Sequence, residues 1–294
     1  AACNITSAGK VEAITASVAG VNFAVSGQDV YNYTAYSYDT EHDIICCFFM
    51  DDSDENLKYR TAVPSGTGTS QTVTWSGATQ LYSDSQANSG GYSPFRYVSA
   101  YYDPVSKKHI VAWRTNSYGI WTLAVSINSD GSHAGKGTPN KLDGGSSNSI
   151  GTLRIAMIQA WNSKVLIFYK NSTTNSTIKY RELTISDHSI TEGNEGDFSN
   201  TYNWQNPINL WWDADNERVH IATKDPNESR SGLIWNGGTW GQQTAYGDIC
   251  PSQIYDPVSG KALFFYVDNT DGGNNNDGRY KVGSYSSNKE SISW

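Results

Sequence analysis

One five-residue sequence occurs twice in this chain and constrains its fold more than any other feature. Tyr102-Asp103-Pro104-Val105-Ser106 recurs unchanged as Tyr255-Asp256-Pro257-Val258-Ser259, and a short apolar strand pattern follows each copy. Weaker copies of this turn and strand surround residues 39, 161 and 213, so five anchors lie about 43 to 64 residues apart. Asp caps its own turn and Pro fixes the next φ, so Asp103 and Asp256 are expected to be structural rather than catalytic.

Each repeat contains four segments with the composition of short strands, separated by Gly, Asn, Asp and Ser. Four antiparallel strands at this repeat length are typical of a propeller blade. The sequence therefore predicts an all-β fold, a five-bladed β-propeller of four-stranded antiparallel blades. The predicted blades are approximately 30–91, 92–151, 152–205, 206–249 and 250–294, with residues 1–29 closing the ring. A β-sandwich is the alternative, but it does not explain a repeated turn with a nearly constant sequel.

The Tyr-Asp-Pro turn, its Lys and the aliphatic-aromatic strand that follows resemble propeller repeats in virion and tail-fibre proteins of marine phages. They are more distantly similar to secreted sialidase-type propellers. The resemblance covers about residues 30 to 290 and implies a repeat fold rather than one particular activity. The chain lacks the Ser-x-Asp-x-Gly-x-x-Thr-Trp box of sialidases, and this departure argues against sialidase activity.

Charge and composition exclude several classes of function. The 294 residues carry a net charge of −8, which argues against a nucleic-acid partner held through its phosphates. No apolar run approaches the roughly 20 residues that span a bilayer, so membrane insertion is not expected. Few Lys and many Ser, Thr, Asn and Tyr fit an extracellular chain. The start at Ala1 without Met fits either removal of a signal peptide or a fragment.

The four cysteines divide into two pairs. Cys46 and Cys47 are adjacent in a predicted strand, so they point to opposite faces and are expected to pack as small hydrophobic side chains. Cys3 and Cys250 are expected to form a disulfide that ties the N-terminal segment to the last blade. The chain has no Cys-x-x-Cys pair, which argues against a structural zinc site.

Equivalent positions of the repeats suggest where a ligand could bind. Seven residues before four of the anchors lie Asn32, Arg96, Arg154 and Asn206. In a propeller these side chains would gather at one mouth of the central channel, on the rim formed by the loops from strand four to one and from strand two to three. There they would bind a carboxylate, a sugar or a water cluster. The alternative is that they bond carbonyl groups of neighbouring blades.

An acidic loop near the C-terminus is a candidate calcium site. Asp268, Asp271 and Asp277 provide oxygen ligands at close spacing, with Gly residues between them. The loop lacks the terminal Glu of an EF-hand, and a solvated hairpin is the alternative.

The function predicted from these features is binding without catalysis. Ten Trp and 19 Tyr suit glycan recognition, although Trp113, Trp161, Trp211 and Trp240 are expected to pack between blades. The alternatives are a structural subunit of an extracellular fibre or capsid, which would self-associate, and a glycoside hydrolase. A hydrolase needs two acids on the inner strands, and those strands carry almost none besides the turn anchors.

Overall fold

The computed structural model describes an all-β chain. The described residues are 2–5, 11–14, 30–51, 54, 56–65, 72–83, 98–115, 119–142, 155–159, 163–170, 178–199, 209–213, 217–222, 231–235, 240–245, 249–256, 259–268, 277–286 and 292–293. Within them, no helix is long and apolar enough to cross a membrane.

In these described ranges, 25 strands form a hairpin and five antiparallel sheets. The hairpin pairs β1 (Ala2–Ile5) with β2 (Val11–Ile14). The first sheet contains β3 (Val30–Asp39), β4 (Ile44–Asp51), β5 (Leu57–Ser65), β6 (Thr72–Trp75) and β7 (Thr79–Tyr82). The second contains β8 (Val98–Asp103), β9 (Lys108–Thr115), β10 (Gly119–Ile127), β11 (His133–Lys136) and β12 (Asn140–Leu142). The third contains β13 (Ala156–Gln159), β14 (Val165–Lys170), β15 (Ile178–Ser186), β16 (Ser189–Glu192) and β17 (Gly196–Ser199). The fourth contains β18 (Asn209–Asp213), β19 (Arg218–Ala222), β20 (Ser231–Trp235) and β21 (Trp240–Ala245). The fifth contains β22 (Ile249–Asp256), β23 (Lys261–Asp268), β24 (Asp277–Tyr285) and β25 (Ile292–Ser293).

Each sheet is a meander, but in three sheets the fourth strand is in two pieces, which corrects the expectation of four strands throughout. In the first sheet, β6 and β7 pair with successive parts of β5, and residues 76–78 separate them. The break is itself hydrogen-bonded, because the Ser76 N–H donates to the Thr61 carbonyl at 2.8 Å. Gly137 and Gly193 donate in the same way at the breaks in the second and third sheets.

Consecutive sheets pack face to face, and their first strands contact one another in chain order, from β3 through β8, β13 and β18 to β22. Trp113 lies in the core between the first and second sheets. Between the fourth and fifth sheets, the Trp211 ring stacks on His220 and Tyr255, with ring centroids 3.7 and 4.2 Å away. Trp113 and Trp211 are both buried, so they have the packing role expected of them.

Both faces of β4, the second strand of the first sheet, are buried. On β4, Cys46 and Phe48 pack in one core with Trp113 of the second sheet. Alternation along the strand points Cys47 and Phe49 to the other face, where Cys47 is 0% exposed and Phe49 1%. Cys46 and Cys47 are free thiols, and both are buried, which confirms that they pack as small hydrophobic side chains.

Ring closure by residues 1–29 stays a prediction. In the described part of the chain β1 pairs with β2, and the four strands of the fifth sheet all come from residues 249–293. The predicted blade boundaries stay predictions in the same way.

Candidate functional site

The repeated turns share one geometry. The Asp39 carboxylate accepts the Glu41 N–H at 2.8 Å, and the Asp103 carboxylate accepts the Ser106 N–H at 3.1 Å. Each of the five turns has one residue with a φ between 49° and 65° close before its second strand: Asp43, Lys107, Ser163, Glu217 and Gly260. The anchor carboxylates are thus used inside their own turns, as expected for Asp103.

A cavity of about 340 Å³ lies where β3 and β8 run into these turns. Four tyrosines line it together with Ser37 and Thr40: Tyr36, Tyr38, Tyr101 and Tyr102. Tyr36 is 53% exposed and Tyr38 47%, which is high for large aromatic side chains. A concave surface with exposed aromatic rings is typical of a ligand site.

Carboxylates hold two of these tyrosines. The Tyr38 hydroxyl donates to Asp43, and Tyr102 hydrogen-bonds Asp39. Burial would raise the pKa of Asp39, but hydrogen bonds from His42, Tyr102 and two backbone N–H groups hold it below its usual value. The hydrogen bond to Asp43 raises the pKa of Tyr38, and burial together with Asp39 raises that of Tyr102. Tyr38 and Tyr102 are therefore neutral, and the Asp39 carboxylate is charged, near pH 7.

Behind the cavity, polar contacts connect the first and second sheets. Ser37 hydrogen-bonds His109 Nδ1 at 2.7 Å, and His109 Nε2 lies 3.4 Å from the Cys46 thiol. Lys107 bridges to Glu41 at 2.6 Å on the surface. Burial lowers the pKa of His109 to about 4, so its ring is neutral near pH 7. These bonds fix the wall of the cavity before any ligand arrives.

The Ser37–His109 pair contains two of the three groups of a hydrolase triad. The arrangement does not activate the hydroxyl, because the second ring nitrogen faces a thiol instead of an orienting carboxylate. A pKa near 4 also makes His109 a weak base. The pair is therefore suited to joining two sheets.

A second polar cluster lies in the third sheet. Arg181 Nε donates to the Tyr169 hydroxyl at 2.9 Å, and Tyr169 donates to Glu195 at 2.7 Å. The guanidinium also reaches the Gly193 carbonyl at 3.0 Å and Glu192 at 3.2 Å. Burial and the Glu195 hydrogen bond raise the pKa of Tyr169, so its hydroxyl is not activated as a nucleophile. The polar groups of this cluster bind one another within the third sheet, and these contacts stabilise the sheet.

The ligand residues predicted from the repeat offsets are not brought together by the described part of the structure. Arg96, Arg154 and Asn206 lie outside the described residues, and Asn32 is described only as backbone in β3. Their role stays a prediction. The tyrosine cavity lies at the opposite ends of the strands, beside the Asp turns.

The acidic segments are partly explained. At the end of β4, Lys58 Nζ binds Asp51 at 2.7 Å and Asp54 at 2.5 Å, so one cation bridges two of the acids of that loop. The backbones of Asp268 and Asp277 are paired opposite each other where β23 and β24 meet, and Asp271 lies outside the described residues. The described side chains contain no group of three potential metal ligands, and the calcium site stays a prediction.

The side chains of Cys3 and Cys250 also lie outside the described residues. The backbone of Cys3 pairs with Ala13 in the hairpin, and Cys250 falls at an irregularity of the β22–β23 ladder. Their disulfide stays a prediction.

Sequence reasoning missed the cavity although a signal was present. Tyr36 and Tyr38 alternate with Ser37 at the end of an inner strand, which puts two tyrosines on one face. Tyrosines in such a strand are as typical of a core as of a site. Their exposure depends on what covers the face of the first sheet that points away from the second, because Tyr36 is paired with Cys47 on that face.

No protein-family model and no curated protein matches this sequence. Among solved structures, the chain is similar to an arginine triple mutant of AofleA from Arthrobotrys oligospora, with 10% identity over 91% of this chain and 72% of that one, and a TM-score of 0.54. It is similar to AofleA itself with 13% identity over 87% and 71%, and a TM-score of 0.50. The sialidase of Trypanosoma rangeli, in complex with sialic acid, is 12% identical over 89% of this chain, which spans 45% of the sialidase, with a TM-score of 0.53. At such identities the likeness concerns the fold alone: the chain is an all-β protein of antiparallel sheets with propeller-type relatives.

Proposed function

We propose that this chain is a carbohydrate-binding β-propeller of five blades that acts without catalysis outside the cell, either secreted or on a virion surface. The tyrosine cavity carries the proposal. Tyrosine rings pack against the apolar faces of sugars, and hydroxyl groups such as those of Thr40 and the tyrosines bond sugar hydroxyls. The T. rangeli sialidase, which shares the fold, holds a sugar in its structure.

The burial of the first sheet supports a closed ring. The second sheet turns Val111 and Trp113 toward the first. The register makes Cys47 and Phe49 their equivalents in the first sheet, so these side chains face the place of a preceding sheet. No sheet precedes the first one among the described residues, yet Cys47, Phe49 and the neighbouring Arg60 are buried. In a closed ring the fifth sheet would cover this face at Cys47 and Phe49, while Tyr36 and Tyr38, on the same face at the end of β3, would lie at the edge of the covered area, beside the turns.

Binding is favoured over hydrolysis by what surrounds the cavity. A glycosidase needs two carboxyl groups that flank the scissile bond. No Asp or Glu is among the described lining residues. The acids behind the lining are engaged, since Asp39 caps its turn and Asp43 accepts the Tyr38 hydroxyl.

A glycan array followed by titration calorimetry tests the proposal. Tyr36→Ala and Tyr38→Ala should each weaken the binding of a glycan hit about tenfold, because each removes a ring that a sugar would cover. Tyr280→Ala is the matched control, since Tyr280 is 51% exposed on β24 of the fifth sheet. It should leave the affinity unchanged.

Three outcomes would contradict the proposal. If every glycan fails and the protein self-associates as its concentration rises, the chain is a structural subunit. If Tyr280→Ala weakens binding as much as the cavity variants do, the glycan site lies elsewhere. Release of reducing sugar from a bound glycan would establish a hydrolase instead.

A further inference from the structure

We infer that the tyrosine cavity selects glycans that carry a protonated amine over their acetylated and acidic counterparts. The inference rests on the proposed function, because it takes this cavity to be the glycan site. It adds the charge of the preferred sugar, which follows from the groups around the cavity.

Two of the tyrosines that line the cavity have exposed rings. Tyr36 and Tyr38 lie on one face of β3 and are 53% and 47% exposed, whereas Tyr102 on β8 is buried. The face of an aromatic ring carries negative partial charge and attracts an ammonium group within about 6 Å of its centre. Two exposed rings beside one cavity favour a cationic ligand group.

Three carboxylates lie close behind the tyrosines of the cavity. Asp43 accepts a hydrogen bond from Tyr38, and Asp39 hydrogen-bonds both Tyr102 and His42. Asp103 is buried one residue beyond Tyr102 and also raises the pKa of Tyr101 and Tyr102. The carboxylates thus lie directly behind the tyrosines that line the cavity.

The basic groups near the cavity are already paired with acids. The described lining residues include no Lys or Arg. In the turns next to the cavity, Lys107 is paired with Glu41 at 2.6 Å and His42 with Asp39 at 2.8 Å. A sialic acid carboxylate would therefore lose hydration beside like charges without gaining a cationic partner, and such juxtaposition opposes binding.

The test uses two tetrasaccharides with the same β-1,4 backbone, fully deacetylated chitosan tetramer and fully acetylated chitin tetramer, with sialyllactose as the anionic probe. Calorimetry is done near pH 6, where a primary amine is protonated, and at about 150 mM salt, which screens long-range attraction to an acidic protein. The deacetylated tetramer should bind roughly fivefold to thirtyfold more tightly than the acetylated one, as expected for ammonium–ring contacts. Sialyllactose should bind weakest.

Two matched variants locate the effect. Asp43→Asn removes one carboxylate but keeps an acceptor for Tyr38, and it should reduce the preference for the deacetylated tetramer roughly threefold. Asp187→Asn is the control, because Asp187 is also an exposed Asp with positive φ, at the β15–β16 turn of the third sheet. Asn tolerates this conformation, so both variants should fold.

The outcomes separate the two proposals. Equal binding of both tetramers, weakened by Tyr38→Ala, would retain the glycan site and overturn the charge selection. Equal loss in Asp43→Asn and Asp187→Asn would also overturn it, because the attraction would then be a property of the whole surface. Failure of both tetramers and of the array would remove the glycan site itself.

Discussion

His109 is the residue whose burial has the clearest consequence for stability. Its side chain is 1% exposed, and burial lowers its pKa to about 4, against about 6.5 in an unfolded chain. Between these values the unfolded chain binds the proton more tightly. The resulting contribution to stability is complete above pH 6.5 and is lost as the pH falls toward 4.

We expect the free energy of unfolding to fall by about 3 kcal/mol more in the wild type than in His109→Gln between pH 6.5 and 4. Gln has no proton to gain in this range, so the difference in slope isolates His109. Urea unfolding at several pH values measures it. If the free energy of unfolding changed with pH in the same way for both proteins, the lowered pKa and the burial of the His109 ring would be contradicted.

Residue partners across sheets are what the sequence could not show. Ser37 and His109 are 72 positions apart, and neither has a neighbour in sequence that identifies the other. The sequence showed that Tyr36, Ser37 and Tyr38 alternate between the two faces of a strand. It did not show that the two tyrosine side chains are exposed. The adjacent Cys46 and Cys47 were predictable because alternation along a strand is a local rule.

The Asp turns are the elements that sequence reasoning finds best. Asp, Pro and Gly determine a turn by their own conformational preferences, so Tyr102-Asp103-Pro104 identifies its turn without tertiary information. The split fourth strands could not be found in this way. The break at residues 76–78 depends on the Ser76 N–H reaching the Thr61 carbonyl on another strand.

One element-scale prediction uses the left-handed position of the turn. Gly260 has a φ of +65°, and a Cβ added there would meet nothing within 4 Å. Gly260→Ala should therefore lower stability by about 1 kcal/mol through backbone strain alone. Gly77 has equally open space without a positive φ, so Gly77→Ala is the matched control and should be neutral or slightly stabilising. If thermal unfolding showed the same change in stability for both variants, backbone conformation would not determine the loss of stability.

At the scale of the whole molecule, the number of sheets follows from counting the turn anchors. Five anchors and five sheets agree because each turn joins the first two strands of one sheet. Whether the sheets close into a ring cannot be inferred from the number of anchors. It depends on a contact between the two ends of the chain, and a repeat pattern contains no information on that contact.

The predicted Cys3–Cys250 disulfide belongs to this scale. Closing so long a loop would contribute about 4–5 kcal/mol by the chain-entropy account. Alkylation in denaturant without a reductant should modify only two of the four cysteines, Cys46 and Cys47, which are free in the fold. Cys250→Ser should raise the number to three by releasing Cys3. Modification of all four in the wild type would disprove the bond.

The two adjacent thiols of β4 can act as reporters of how the molecule opens. Burial raises the pKa of both to about 12, so neither reacts with a thiol reagent while it is covered. Cys46 faces the seam with the second sheet, and Cys47 faces the other side of the first sheet, which the fifth sheet would cover in the proposed ring. Timed labelling of Cys46→Ala and Cys47→Ala variants would record the opening of each seam separately. The thiol that is labelled faster marks the side of the first sheet that opens first.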